Sequence, residues 1–517
     1  MNLFLVGGPA QALRTVADQL PFFPGREVQS SGAVAWIAHS DDYVSPDGSA
    51  LFSGRPIVWS GDSADGRAPL DPAFWLDPPV DALDGRYVGI RVVDGQVTVF
   101  ADALGAYPVY QRGGMVSNNA EVLRDPSSSM RADVLASLLG GGWSLSGDPV
   151  WDGIERIQPM RPRPTPGEGF DPDRAAALLV AAVQALSDWP GRPSVVPITA
   201  GRDSRVVLAA ALAAGIDFET TTGGEPGHPD VEIGRELARV AGVPWKPIEH
   251  DPHGSVTNDW RRAAELLWLT SSGTASLADA AGFPFGPRPG PLPLWHSGQG
   301  GEIARTYYGL GSDANELYDA FLAQRPGRRD VLNRDGRRLV REQLDLFVEE
   351  QLAAGIDRDD VADTFYLHRR MGTWAGPTHG AVEYVRDTTS PLWSRRLLPD
   401  LLGLPRRTRA RAEFHRAMLE RLAPQLLEVP FEAPRTMRRK VADELRRRIR
   451  PRAVPGDPFA RVLPEIRDAV LSQPRHPAWQ VLDRPRVEEL LASDAAFLDT
   501  MSRYYVWRLA TVFGPTA

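Results

Sequence analysis

The stretch Ser194-Val195-Val196-Pro197-Ile198-Thr199-Ala200-Gly201-Arg202-Asp203-Ser204-Arg205 decides how this chain is read. Its first five residues read as a buried strand, although Pro197 demands a position that needs no N–H. A turn containing Gly201 follows, and residues 206–214 then have the composition of a helix. A loop between strand and helix exposes backbone N–H groups at the helix N-terminus, a natural seat for an anion. Ser204 can donate its hydroxyl to a phosphate, and Arg202 and Arg205 add positive charge. Asp203 would repel phosphates unless a cation bridged them, so it reads as a magnesium ligand. The same residues also suit a plain turn in which Asp203 and Ser204 only cap the helix.

Outward from this turn, strand and helix alternate. Asp171-Pro172-Asp173 signals a helix start, and residues 175–186 run as a long apolar helix. Residues 218–222 read as a strand and 230–241 as a helix stopped by Gly242. This alternation predicts an α/β region with a parallel sheet. After about residue 310 the pattern is mostly helical. Residues 1 to about 120 instead carry short β-rich runs, Val34 to Ala38, Tyr87 to Val93 and Val97 to Ala101, with Asp94-Gly95 as a hairpin turn. A layered β region is expected there. Residues 158–173 are rich in Pro, Gly and Arg without periodicity and read as a linker, which divides the chain into domains at 1–165 and 166–517.

Composition narrows the chemistry. The chain has 517 residues, 43% hydrophobic and 24% charged, with net charge −8, so its global field does not attract nucleic acid. The absence of cysteine excludes disulfides, thiolate metal sites and a thiol nucleophile. The nine histidines show no His-Glu-x-x-His spacing, which argues against zinc. No apolar run is long enough to span a bilayer. The start, Met1 to Gly8, lacks the basic region of a signal peptide, so a cytoplasmic location without membrane insertion is expected. Trp260, Leu267 and Trp268 read as core.

Several segments carry a family resemblance. Gly201, Asp203 and Ser204 match the pyrophosphate loop Ser-Gly-Gly-x-Asp-Ser, with Thr199 and Ala200 as small-residue departures. Ser297-Gly298-Gln299-Gly300-Gly301-Glu302, after the apolar residues 292–295, is similar to Ser-Gly-x-Gly-x-Asp. Val382-Glu383-Tyr384-Val385-Arg386, with Pro391 downstream, looks like Glu-x-Arg-x-Pro-Phe. Near the start, Leu83-Asp84-Gly85-Arg86-Tyr87 and Asp102 to Tyr110 resemble glutaminase-domain signatures. Together these resemble the asparagine-synthetase-like ATP pyrophosphatases over most of residues 1–400.

The resemblance implies a fold: an α/β, HUP-like synthetase domain preceded by a β-rich α+β domain of the N-terminal-nucleophile glutaminase kind. It also implies ATP and Mg²⁺ as ligands. ATP and pyrophosphate would be bound by Ile198, Thr199, Ala200, Gly201, Arg202, Asp203, Ser204, Thr222, Ser297, Gly298 and Gln299, and the metal by Asp203 and Glu302. Glu383 is the candidate for orienting or assisting a base, though it equally suits a surface carboxylate near Arg386. Asp230 borders the adenosine in this reading or is simply a helix N-terminal acid. The family's cationic lysine falls by spacing at Arg411 or Ala412. Lys440 is a different candidate, or part of a solvated basic face.

A working glutaminase of this family uses an N-terminal cysteine, whereas position 2 here is Asn2 and no cysteine exists. An amide side chain cannot be that nucleophile. The first domain is therefore expected to be inactive as a glutaminase, and the nitrogen must come with the substrate. The resemblance then implies a ligase that forms AMP and pyrophosphate, of the lasso peptide macrolactam synthetase type. Such an enzyme closes an Asp or Glu side chain of a precursor peptide onto that peptide's N-terminal amine, alongside a leader peptidase and a peptide-recognition protein. A β-lactam-type or asparagine synthetase is the alternative, and a non-catalytic ATP-binding scaffold is another. The arginines after residue 404 could meet an acidic peptide, or lie on exposed helix faces.

Overall fold

The computed structural model describes residues 3–23, 25–37, 49–102, 104–157, 169–189, 192–224, 227–248, 258–280, 292–309, 314–323, 331–383, 386–431 and 457–516. The 165/166 boundary, most of the expected linker and Lys440 lie outside them.

Two antiparallel sheets occupy the N-terminal region. One has six strands, with Leu3–Val6 between Met115–Ser117 and Val34–Ile37. The other has four, in which Ala50–Ser60 and Leu83–Val93 pair along nine residue positions. Phe4, Val34 and Trp36 of the first sheet meet Leu51, Val88 and Ile90 of the second in one apolar cluster. The layered β arrangement expected from the sequence is therefore present. Asp94 (φ 50°) and Gly95 (φ 75°) close the hairpin between Leu83–Val93 and Gln96–Ala101, both in the left-handed region that a two-residue I′ turn requires.

The second half contains a five-stranded, all-parallel sheet. Its order is Trp245–Ile248, Phe218–Gly223, Ser194–Pro197, Leu294–His296, Asp387–Thr389. Helix Pro172–Ser187 starts at Asp171, whose carboxylate accepts from the backbone N–H groups of Asp173 and Arg174. Helix Pro229–Ala241 stops at Gly242 (φ 70°), as expected. Helix Asp203–Ala214 begins three residues earlier than the apolar pattern suggests, so Asp203 and Ser204 form its first turn. Strand Asp387–Thr389 was not foreseen in a region read as helical. Its three residues are polar yet all buried, so no hydrophobic pattern announces it.

The β-rich region and the helices share a core. Trp143 packs edge-on against Phe321 and Trp151 against Trp268. The buried Arg508 donates to the carbonyls of Gly140 (3.0 Å) and Gly141 (3.2 Å), which end helix Ala132–Gly141. Trp260, Leu267 and Trp268 are buried in this core, as expected. No helix among the described residues is long and apolar enough to cross a membrane.

Candidate functional site

Strand order locates a crevice without reference to any motif. From Ser194–Pro197 the chain passes through helix Asp203–Ala214 to a strand on one side, then later returns to place Leu294–His296 on the other. Successive connections leave these two neighbouring strands in opposite directions. In open parallel sheets ligands bind at such a switch point, outside the carboxyl ends of the strands. The two turns that emerge there are 198–202 and 297–302.

The turns touch. A Cβ on Gly298 would lie 2.5 Å from the backbone nitrogen of Ser204, and one on Gly301 would lie 2.6 Å from Asp203 Oδ1. Both positions must therefore be glycine for the second turn to seat on the start of the helix. Within the first turn, the Thr199 N–H donates to Ser204 Oγ (3.2 Å) and the Gly201 N–H to Thr199 Oγ1 (3.1 Å). Asp230 Oδ1 accepts from the Ala200 N–H at 2.8 Å, so this acid at the start of the next helix braces the turn. In the second turn Ser297 Oγ accepts from the Gln299 N–H (3.1 Å), and Ser390 donates to the Gln299 carbonyl (2.5 Å). The Gln299 side-chain oxygen is buried with no hydrogen-bond partner among the described residues.

The two carboxylates have defined neighbours. Asp203 Oδ1 meets His415 Nε2 at 2.6 Å and its Oδ2 meets Arg305 at 3.0 Å. Burial alone would raise the Asp203 pKa, but the hydrogen bond and charge of His415, with Arg305, outweigh it and hold the group below its ordinary value. Glu302 Oε2 accepts from Tyr366 (2.5 Å) and from the Gly300 N–H (3.2 Å). Burial, then the neighbouring Glu302, push the Tyr366 phenol far up, so it stays a donor. Sequence reading missed Arg305, three residues after Glu302, and His415, Tyr366 and Ser390, which are brought in from distant parts of the chain.

No group of three or more His, Asp or Glu among the described residues is arranged to hold a metal by itself. Mg²⁺ commonly binds through only one or two carboxylates and completes its octahedron with phosphate oxygens and water, so Asp203 and Glu302 would be the residues to hold it, in place of the contacts Asp203 makes with His415 and Arg305. A full protein cage is not required for that ion.

The other expected site residues fall in different places. Arg202 is half-buried at the turn, with its guanidinium carbon 5.3 Å from the Phe431 ring centroid. Arg205, expected to add charge to the loop, turns away instead. It is fully buried and donates to the carbonyls of Leu426 (3.0 Å), Val429 (2.6 Å) and Pro430 (3.1 Å). The side chain of Ile198 is buried in the core, leaving only its backbone near the turn. Thr222 is buried too. Its hydroxyl donates to the Ile198 carbonyl (2.8 Å) and accepts from Trp245 (3.1 Å), so it supports the crevice from beneath. Glu383 is buried where the β-rich region meets the α/β region, paired with Arg86 at 3.2 Å. Burial would raise its pKa, but Arg86 outweighs this and lowers it, which makes the carboxylate a weak proton acceptor. Arg411 is exposed, one residue before Ala412, whose φ of 59° bends the chain into helix Glu413–Leu422 and aims His415 at Asp203. Of the arginines after residue 404, Arg409 is not surface charge at all, being buried against Asp363 at 2.8 Å. No family model matches the chain, and neither does any curated protein sequence.

Proposed function

We propose that the crevice seats Mg-ATP and that the protein forms an amide bond by adenylating a carboxylate. The observation that carries this reading is the glycine-mediated docking of 297–302 onto the start of helix Asp203–Ala214, at the sheet's switch point. It brings together a helix N-terminus, a hydroxyl, two carboxylates and an unsatisfied amide oxygen. In this reading the α/β region is a synthetase domain of the ATP-pyrophosphatase, HUP-like kind, and the β-rich region is a glutaminase-like domain without its nucleophile. Backbone N–H groups at 202–204 and the Ser204 hydroxyl hold phosphate oxygens. Asp203 and Glu302 hold the magnesium, which supplies charge neutralisation at the phosphates. A carboxylate oxygen of the substrate bonds to the α-phosphorus as pyrophosphate leaves. An amine of the same molecule then attacks the acyl carbon, AMP leaves, and the amine gives up a proton. Holding both ends together contributes up to roughly 7–11 kcal/mol in well-oriented cases.

The leading substrate is a precursor peptide, closed from an Asp or Glu side chain onto its N-terminal amine. The sequence holds no cysteine to act as a glutaminase nucleophile, which supports an amine that arrives with the substrate. Pyrophosphate release with candidate peptides, followed by mass spectrometry for loss of one water, tests the reading. Asp203→Ala should lower the rate by about 100-fold or more, and an unchanged rate would overturn the metal assignment. Ammonia-dependent asparagine formation would favour the small-molecule alternative. Both oxygens of Asp203 are already engaged, by His415 and Arg305, which is what favours a non-catalytic scaffold as the second reading. Mg-ATP binding without pyrophosphate release would support the scaffold.

A further inference from the structure

Behind the second turn a helix changes register. Val361–Phe365 is α-helical, Tyr366–Ala375 is π-helical, and Gly376–Val382 is α-helical again. Long π-helical stretches are rare, and such turns concentrate at functional sites. Here the spacing of four brings Tyr366, Arg370 and Trp374 to one side of the helix. Tyr366 holds Glu302. The Arg370 guanidinium carbon lies 4.4 Å from the ring centroid of Tyr307 and 4.1 Å from that of Trp374, so two aromatic rings pack against the group. Tyr308 is its hydrogen-bond partner. Arg305 has Asp203 as counter-ion, and Arg409 has Asp363. The half-buried Arg370 has no such carboxylate among the described residues, although it lies in the electrostatic reach of Glu302.

A charge withdrawn from water without a counter-ion is costly, so a site of this kind is built for a ligand anion. With aromatic rings packed against it, the guanidinium best meets that anion along its edge. The edge presents in-plane N–H pairs that match a planar carboxylate. A phosphate is better served by the backbone N–H groups of the neighbouring turn.

We infer that Arg370, framed by Tyr307, Tyr308 and Trp374, is the seat of the substrate carboxylate. Its part in activation rests on the nucleotide reading of the neighbouring turns; binding itself does not. Held there, the carboxylate loses the repulsion it would feel from the phosphates. One of its oxygens forms the bond to the α-phosphorus, and the electron pair of the breaking phosphorus–oxygen bond leaves with pyrophosphate.

The test is saturation-transfer NMR on the full chain without nucleotide, with N-acetylglutamate and its neutral isostere N-acetylglutamine as probes. The acid is expected to bind and the amide not. Arg370→Met is expected to weaken the acid roughly 10–100-fold. Arg370→Lys keeps the charge but not the fork and should fall between; it decides the matter if the methionine variant does not fold. Pyrophosphate release is measured separately on the wild type, so failure of the nucleotide reading shows up there while acid binding without nucleotide stands. Equal binding of acid and amide, wild-type affinity in the folded Arg370 variants, or stronger displacement by inorganic phosphate would each overturn the proposal.

Discussion

Replacing Gly298 with alanine tests the juxtaposition on which the candidate site depends. The added Cβ would stand 2.5 Å from the Ser204 nitrogen and 2.8 Å from both the Ser204 Cα and the Asp203 carbonyl carbon. Ordinary contacts of this kind begin near 3.4 Å, so the two turns must separate by roughly 1 Å. The obstacle is backbone, and it cannot rotate aside as a side chain would. Gly298 is not among the glycines with positive φ, so alanine introduces no conformational strain of its own and the effect isolates the contact. Overpacking of this size typically costs about 1–3 kcal/mol of stability, a shift of a few degrees in melting temperature. A displacement of about 1 Å in a positioned site costs on the order of 100-fold in rate. Gly298→Ala should therefore lose far more activity than stability in paired measurements of pyrophosphate release and thermal unfolding. Gly169→Ala, where an added Cβ meets nothing, is the control. If Gly298→Ala releases pyrophosphate at the wild-type rate with an unchanged melt, the two turns do not cooperate in one site.

Two further predictions concern the β-rich region. Arg86 and Glu383 are both almost wholly buried, so Arg86→Met leaves an uncompensated carboxylate and should cost about 3–5 kcal/mol in denaturant unfolding. Adding Glu383→Leu should recover much of that loss; no recovery would mean that the pair is not the source of the effect. Asp102 accepts the N–H groups of Leu104 (3.1 Å), Ala106 (2.8 Å) and Tyr107 (2.7 Å), yet burial pushes its pKa from 3.8 up to about 6. Between about pH 4 and 6 the folded state then binds more protons than the unfolded chain, so stability falls as pH rises through that window. The stability of the wild type relative to Asp102→Asn should fall by about 2–3 kcal/mol from pH 4 to pH 6 and then level off, and a flat difference would refute the assignment.

Much of the crevice was legible in the chain. The apolar run 194–198, the glycine turn and the Asp-Ser pair announce a strand, a turn and a helix start, because each is a local signal. The Ser297 to Glu302 turn was legible for the same reason. Strand Asp387–Thr389 was not, since its polar residues gain their burial from neighbours far along the chain. Arg205 looked like a phosphate ligand because its place beside the turn says nothing about where a long side chain points. Three carbonyls at 426–430 decide that.

Local chemistry in the sequence was thus enough to mark two glycine turns with carboxylates, a hairpin at Asp94-Gly95, an α/β half and a chain without a thiol. Only the tertiary structure decided that the two turns meet, that His415 and Arg305 hold Asp203, that Glu383 is paired with Arg86, and that Arg370 stands beside two rings without a carboxylate partner among the described residues. The reason is physical. Turn and helix propensities act over a few residues, whereas side-chain partners separated by 100 to 300 positions are selected by how the sheet order and the shared core bring the elements together.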